Sequence, residues 1–333
     1  MATKKDEFGR AINYLRVSVT DRCNLRCFYC MPPSGIPNKL NCEDILDYEE
    51  IVNIIKEATN FGVSKIRFTG GEPLVRKDFP KLVTAVKEIP GIDDLSITTN
   101  GILLDTYAPI LKEAGLNRVN ISLDTLNEKK FNEITCGGDL KKVFSGISKA
   151  IDVGLTPVKL NVVVIKGMNE KEILDFAKFS REDGIEVRFI EYMPMGSSEG
   201  WKEKFISVKD ILTACKGLGE MEPVERTVGG GPAKYYRYRD GKGKLGFISA
   251  ISEHFCDDCN RLRLTSDGKL KLCLFSDHEI DLKPVLNDAQ GLNYAFMRAI
   301  HGKPQGHLLN KESYGDNDEL INCLQRNMSQ IGG

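Results

Sequence analysis

Six strand-like segments recur through the first two-thirds of the chain, and in each one parity is polar. They cover 15–20, 65–69, 95–99, 119–123, 158–165 and 186–190. Successive side chains on a strand point to opposite faces. One face therefore carries Arg16, Ser18 and Thr20; Lys65, Arg67 and Thr69; Ser96, Thr98 and Asn100; Asn120, Ser122 and Asp124; Lys159 and Asn161; Glu186 and Arg188. The other face is largely apolar. A parallel sheet buried on both faces reads instead as continuous apolar runs, and burying so many polar groups without partners is costly. A curled, partly open barrel with a wet interior satisfies both constraints. Any one of these residues could simply pair with a neighbour; six strands in agreement point to a cavity.

Helical periodicity fills the intervals. Ile51, Ile54, Ile55 and Ala58 share a face, and Asp47 with Glu50 predicts a capping box ahead of them. Further helices are expected over 79–88, 106–114, 140–153 and 171–181, with Gly62, Gly91, Gly115, Gly154 and Gly184 at the joins. Six β/α units imply a parallel sheet. Beyond Gly196 the pattern changes to short strands over 235–239, 245–251, 261–265 and 269–275, expected to be antiparallel, and one helix over 289–300. Thr265-Ser266-Asp267-Gly268-Lys269 reads as a hairpin turn. The expected fold class is α/β: an incomplete (β/α)6 TIM-like barrel over 8–196, followed by a C-terminal antiparallel β extension over 197–333.

A net charge of −1 provides no global basic field, so nucleic acid is not an expected partner. The polar N-terminus lacks the apolar core of a signal peptide, and apolar runs such as 162–165 are far too short to span a bilayer. A cytoplasmic protein without membrane association is expected. Ten cysteines then need a reason, since structural disulfides are disfavoured in a reducing compartment. Cys42, Cys136, Cys215 and Cys323 are scattered and read as unpaired core or surface residues. The other six form two groups.

Cys23, Cys27 and Cys30 follow the first strand at C-x3-C-x2-C spacing. In a barrel that is the end where active sites are built. A four-iron cluster normally takes four thiolates, so three leave one iron open to a non-protein ligand. Structural zinc prefers four protein ligands, and no histidine lies near. With Tyr29 before the last cysteine, the loop resembles the signature of radical S-adenosylmethionine (SAM) enzymes, in which the SAM amino and carboxylate groups take the open iron. Thr69-Gly70-Gly71-Glu72-Pro73, one β/α unit later, is similar to the segment that contacts SAM in that superfamily.

Cys256, Cys259 and Cys273 form the second group, beside His254. Spacing alone leaves a zinc site and a second iron–sulfur cluster equally open. Arg261 and Arg263 alternate beside it, so both lie on one face of a strand. A solvated strand face is the plain reading; an anionic ligand such as phosphate is the functional one.

Tyr14-Leu15-Arg16-Val17-Ser18-Val19-Thr20-Asp21-Arg22-Cys23-Asn24 resembles the opening of the GTP 3′,8-cyclases of molybdenum cofactor biosynthesis. So do Gly246-Phe247-Ile248-Ser249-Ala250, the stretch from His254 to Leu264, Glu191-Tyr192-Met193-Pro194 with Gly196, and the terminal Gly332-Gly333. The resemblance spans almost the whole chain. It implies two [4Fe-4S] clusters, on Cys23, Cys27 and Cys30 and on Cys256, Cys259 and Cys273, the second binding the guanine edge. It implies SAM contacts from Tyr29, Gly71, Ser122 and Met193. GTP contacts follow from Arg16, Arg67, Thr98, Lys159, Arg261, Leu262 and Arg263, with Arg188 added on parity. Gly332 and Gly333 are implied to reach into the active site. The implied reaction removes the ribose 3′ hydrogen with a deoxyadenosyl radical and joins C3′ to guanine C8. An external one-electron reductant and a separate downstream cyclic pyranopterin monophosphate synthase are implied as partners, and a homodimer is allowed for. Two rivals remain: another two-cluster radical SAM enzyme acting on a peptide, and a non-catalytic zinc protein using Cys256, Cys259, Cys273 and His254.

Overall fold

The structure is a computed structural model that describes residues 4–31, 39–193, 200–225, 231–307 and 326–331. Six parallel strands form its centre: β1 (Tyr14–Ser18), β2 (Lys65–Thr69), β3 (Asp94–Thr99), β4 (Arg118–Ser122), β5 (Lys159–Val164) and β6 (Glu186–Glu191). Their apolar parity packs under α1 (Tyr48–Asn60), α2 (Phe79–Lys87), α3 (Leu104–Glu113), α4 (Glu128–Thr135), α5 (Leu140–Asp152) and α6 (Ile173–Asp183). Leu15, Val17, Ile66, Phe68, Leu95, Ile97, Val119, Ile121, Leu160 and Val187 are completely buried there. The predicted capping box forms: Glu50 N donates to Asp47 Oδ1 and Asp47 N to Glu50 Oε2, both at 2.8 Å. Gly184 ends α6 at φ 77°, a left-handed conformation that glycine adopts without strain.

The C-terminal third departs from the expected plan. Its strands are β7 (Met221–Val224), β8 (Lys234–Tyr238), β9 (Leu245–Ile248), β10 (Arg261–Leu264), β11 (Lys269–Lys271) and β12 (Glu279–Asp281). They do not make a separate antiparallel appendage. β10 joins β1 in parallel and β9 joins β6 in parallel, so both edges of the six-stranded centre are extended. Antiparallel pairing starts only beyond them, in β10–β11–β12 and β9–β8–β7, and the result is one twelve-stranded sheet. The physical reason is edge satisfaction: an open half-barrel leaves two rows of unpaired backbone groups, and strands from the extension cover both. α7 (Val208–Cys215) and α8 (Ala289–His301) pack on the outside, Ile211 and Phe296 being fully buried.

Candidate active site

The Cys23–Cys30 loop leaves the C-terminal end of β1 and is pinned by backbone to the end of α4. Arg26 N donates to Thr135 O at 3.0 Å and Phe28 N to Ile134 O at 3.2 Å. Asn100, just past β3, donates from Nδ2 to Asn24 Oδ1 at 2.8 Å and to Cys23 Sγ at 3.8 Å. The glycine pair after β2 has a reason independent of any ligand. Gly71 N donates to Thr20 O and Glu72 N to Arg22 O, both at 2.7 Å. A Cβ on Gly71 would stand 2.2 Å from Arg22 O, so no other residue permits this approach. Glu72 then accepts from Leu74 N, Thr99 Oγ1 and Asn100 N, tying the loops after β2 and β3 together. Ser122 ends β4, and Met193 lies two residues beyond β6 in a small apolar cluster with Tyr29 and Trp201. Tyr29 Oη donates to Asp124 Oδ2 at 2.5 Å, and Asp124 Oδ1 accepts from Val163 N at 2.8 Å. Burial lifts Asp124 to a pKa of about 6, against these two hydrogen bonds.

The thiols of this loop resist ionisation. Burial pushes Cys30 up to about 12. Cys27 is raised well above the ordinary thiol value by burial, then by Cys30, Asp124 and Cys23. Three converging half-buried thiols with raised pKa values become thiolates together only when a cation takes them, which is the chemistry of an iron site.

The second cysteine group lies at the opposite end of the sheet. Cys256 and Cys259 precede β10, which runs parallel to β1, and Cys273 returns to the same end after antiparallel β11. Cys256 is raised by burial and by Cys273 and Cys259. Cys259 differs: burial raises it, but Arg261 and Lys303 outweigh burial and bring it down to about 6. A tetrahedral zinc with Zn–S near 2.3 Å holds its sulfurs about 3.8 Å apart. Among the described residues, the one set of three metal-capable groups within 4.8 Å of one another is His254, Cys256 and His307. Neither thiol triad closes to that span, so both suit a cluster several atoms wide better than one ion. The zinc set of Cys256, Cys259, Cys273 and His254 does not assemble; His254 Nδ1 is instead 2.8 Å from His307 Nε2.

Between the two triads the polar parity forms the lumen face of the sheet, buried and rich in positive charge. Register places Arg263 beside Arg16, Arg16 beside Arg67, and Arg67 beside Ser96. Arg67 Nε reaches Ser96 Oγ at 3.3 Å, Arg188 Nη2 reaches Asn120 Oδ1 at 2.5 Å, and Lys159 Nζ lies 2.5 Å from Glu186 Oε2. Arg16, Arg67, Arg118, Lys159, Arg188 and Arg263 are all buried, against the carboxylates of Asp94 and Glu186. Thr98 Oγ1, Arg188 Nε, Arg118 Nε and Arg118 Nη1 are buried without a hydrogen-bond partner among the described residues. Tyr14 reports the resulting field. Burial alone would raise its phenol, yet Arg67, Arg16, Arg118 and Arg261 bring it below its ordinary value. Such a lumen calls for a multiply charged anion.

Most predicted nucleotide contacts are thus assembled in one place. Leu262 is the exception for its side chain: it is register partner of Leu15 and lies in the core beneath the helices, leaving only its backbone at the cavity. Arg261 sits at the mouth, its guanidinium 5.0 Å from the Phe255 ring and its Nη2 3.9 Å from Cys259 Sγ. Gly332 and Gly333 lie outside the described residues, as do Pro194, Gly196 and Cys323. Three lumen residues escaped sequence reasoning. Arg118 and Asp94 form a buried ion pair, Nη2 to Oδ2 at 2.5 Å, and each stands two residues before a polar position already recognised, so extending the alternation by one step finds both. Tyr235 of β8 places its ring 5.6 Å from Lys159 Nζ; it arrives by tertiary folding, and no local pattern signals it.

Comparisons with known proteins agree with this geometry. The Radical SAM superfamily pattern matches residues 17–180, and the Molybdenum Cofactor Synthesis C pattern matches residues 185–309. The fold is similar to crystal structures of Streptococcus suis SuiB. With the one bound to S-adenosylmethionine it shares 17% identity and a TM-score of 0.61, over 82% of this chain and 64% of SuiB. With the one bound to precursor peptide SuiA it shares 16% identity and a TM-score of 0.61, over 84% and 65%. This chain therefore spans about two-thirds of SuiB's length, and that likeness concerns the fold alone. Sequence relatives are much nearer. The GTP 3′,8-cyclase of Alkaliphilus oremlandii is 51% identical over 99% of this chain and 100% of its own. That of Listeria monocytogenes serovar 1/2a is 48% identical over 100% of both, and that of Pelotomaculum thermopropionicum 49% identical over 99% of this chain and 100% of its own. At that identity over full length, with both end motifs in place, the chain belongs to the GTP 3′,8-cyclase family of radical SAM enzymes.

Proposed function

We propose that this chain binds GTP in the cationic lumen and closes a bond between its ribose C3′ and guanine C8. The observation that carries this reading is the lumen itself: a surplus of buried cations midway between two thiol triads at opposite ends of one sheet. A triphosphate is complementary in charge to this run of buried cations, and a nucleotide is long enough to bridge toward the second triad.

In this reading Cys23, Cys27 and Cys30 would hold one [4Fe-4S] cluster, and Gly71, Ser122, Met193 and the backbone of Tyr29 would hold SAM beside it. Cys256, Cys259 and Cys273 hold the second. When bound, the first cluster and SAM supply a one-electron cleavage that yields a 5′-deoxyadenosyl radical. The protein's share is positioning. Arg16, Arg67, Lys159, Arg188 and Arg263, with Thr98, take the triphosphate, so the ribose is held between the two ends of the sheet. Arg261 and the Leu262 backbone border the guanine end. Tyr235 from β8 lies against Lys159 and helps keep water from the site. Glu186 keeps Lys159 oriented within the lumen.

The two family patterns meet between residues 180 and 185. A barrel unit over 8–196 and a cluster- and nucleotide-binding region over 197–333 are proposed, the boundary lying past that join because β6 completes the six central strands. No helix among the described residues is long and apolar enough to cross a membrane. A cytoplasmic location, an external reductant, a separate downstream synthase and a homodimer belong to the proposal. So does a place for Gly332 and Gly333 in the active site.

The test is an anaerobic incubation of the cluster-loaded protein with SAM, GTP and dithionite. 5′-Deoxyadenosine and a cyclised guanine nucleotide are expected together. Abortive 5′-deoxyadenosine with GTP recovered unchanged, or equal affinity for ATP, refutes the substrate.

A further inference from the structure

A terminal helical turn, Met328–Ile331, rests against the first cysteine loop, with Ser329 and Ile331 both 1% exposed. The backbone N–H of Ser329 faces the sulfur of Cys30 closely enough to counter part of the rise that burial gives that thiol. Three residues earlier stands Arg326, which makes two separate double contacts. Its Nη1 and Nη2 donate to Asp267 Oδ1 and Oδ2 at 3.0 and 2.9 Å. Its Nη2 and Nε reach Glu279 Oε2 and Oε1 at 2.9 and 2.8 Å. Asn327 N donates to Gln330 Oε1 at 3.0 Å, closing the turn that follows.

The two carboxylates belong to the sheet edge that carries the second cysteine group. Asp267 is in the turn between β10 and β11, and Glu279 opens β12 opposite Lys271. Because β10 runs parallel to β1, the β10–β11 turn lies at the same end of the sheet as the Cys23–Cys30 loop. Three residues span at most about 10 Å. Arg326 therefore fixes the turn within that reach of Cys30, from an anchor on the strands that present Arg261 and Arg263.

We propose that Arg326 is a positioning residue: a two-carboxylate latch that holds the terminal turn on the Cys30 loop and delivers the Ser329 N–H to its sulfur. The inference rests on the reading of Cys30 as a cluster ligand. Hydrogen bonds to cluster sulfurs help set the reduction potential. A planar fork meeting a carboxylate with two parallel bonds is geometry that Lys cannot reproduce. Mere surface pairing would not couple a residue on the β10–β12 edge to the sulfur of Cys30.

The experiment uses anaerobic holoenzyme and compares wild type with Arg326→Ala, Arg326→Lys and Asp267→Asn. The first readout is release of Ile331 and Ser329 by a carboxypeptidase, which follows the population of the opened turn. It should be about tenfold faster or more in Arg326→Ala, and intermediate in the other two. The second readout is the midpoint potential of the SAM-binding cluster by EPR-monitored titration, which should fall when the N–H donor is lost. Unchanged release and unchanged potential in Arg326→Ala overturn the latch. If that variant fails to retain iron, Arg326→Lys and Asp267→Asn decide in the same terms. A wild-type protein that loads both clusters but makes no cyclised nucleotide refutes the functional reading, while the peptidase result still judges the latch.

Discussion

Arg16 and Arg263 are register partners across the β1–β10 ladder, so two buried guanidiniums press on the same face of the lumen. Burial, and then Arg263, hold Arg16 well below its ordinary pKa. Neighbouring like charges oppose folding, and the proposed triphosphate would offset that repulsion. Arg263→Ala should therefore lose GTP affinity by about ten- to a hundredfold, the worth of one charge-assisted contact. Iron content should stay at the wild-type level, and melting without nucleotide should be no lower. Calorimetric titration with GTP beside an iron assay checks both, and unaltered affinity removes Arg263 from the site.

Lys159 gives the lumen a pH dependence. Burial lowers it from 10.5 to about 8, and its pair with Glu186 limits the fall. A triphosphate requires the charged form. GTP binding should thus be steady below pH 8 and weaken above it by up to about tenfold per unit, as the free protein's Lys159 loses its proton. Lys159→Arg stays charged throughout and should flatten that slope. Dissociation constants measured from pH 6.5 to 9.5 test the sign; a slope that survives in the arginine variant assigns it to another group.

Gly246 leaves room for Arg188 and Tyr235. A Cβ there would stand 2.8 Å from Arg188 Cγ and 3.0 Å from the Tyr235 ring. Gly246→Ala should displace Arg188 and raise the KM for GTP several-fold, with SAM affinity unaffected. The destabilisation should be about 1–3 kcal/mol, as for other overpacked sites. Steady-state kinetics with each substrate varied in turn separates this from general misfolding, which would degrade both.

Glu191 holds the far end of β6. Its buried carboxylate accepts from Val208 N and Ile251 N at 2.8 Å, from Ser252 N at 2.9 Å, and from the Ser252 hydroxyl. Glu191→Ala strands these donors, and a loss of roughly 3–5 kcal/mol is expected from breaking a buried charged network. Since the 250–252 segment leads to Cys256, the second cluster should load poorly. Urea midpoints and iron stoichiometry read the two effects; a change under about 1 kcal/mol would show that the network is redundant.

Much of this architecture is written locally. The six central strands lie where alternation places them, and the lumen follows from parity, because a one-residue shift would turn Arg16 or Lys159 toward the helices. The Asp47–Glu50 box and the 265–269 hairpin turn are likewise short-range chemistry. What failed is long-range. Strands β9 and β10 look like hairpin members, and nothing local reveals that each runs parallel to a strand some sixty to nearly 250 residues earlier. β7 and β12, at the sheet's outer ends, are too brief to show a period. The latch was hidden for another reason: Arg326 lies in a polar stretch without pattern, and its meaning depends on two carboxylates 59 and 47 residues upstream.

The parallel joins of β9 and β10 also govern how the molecule comes into being. A ribosome delivers β1 through β6 first, and until residues 245–264 emerge both margins of that curved sheet stay unzipped. Each margin is a template for another chain. The nascent protein thus passes through an adhesive stage that its own last third ends, and the catalytic chamber exists only after both margins are closed.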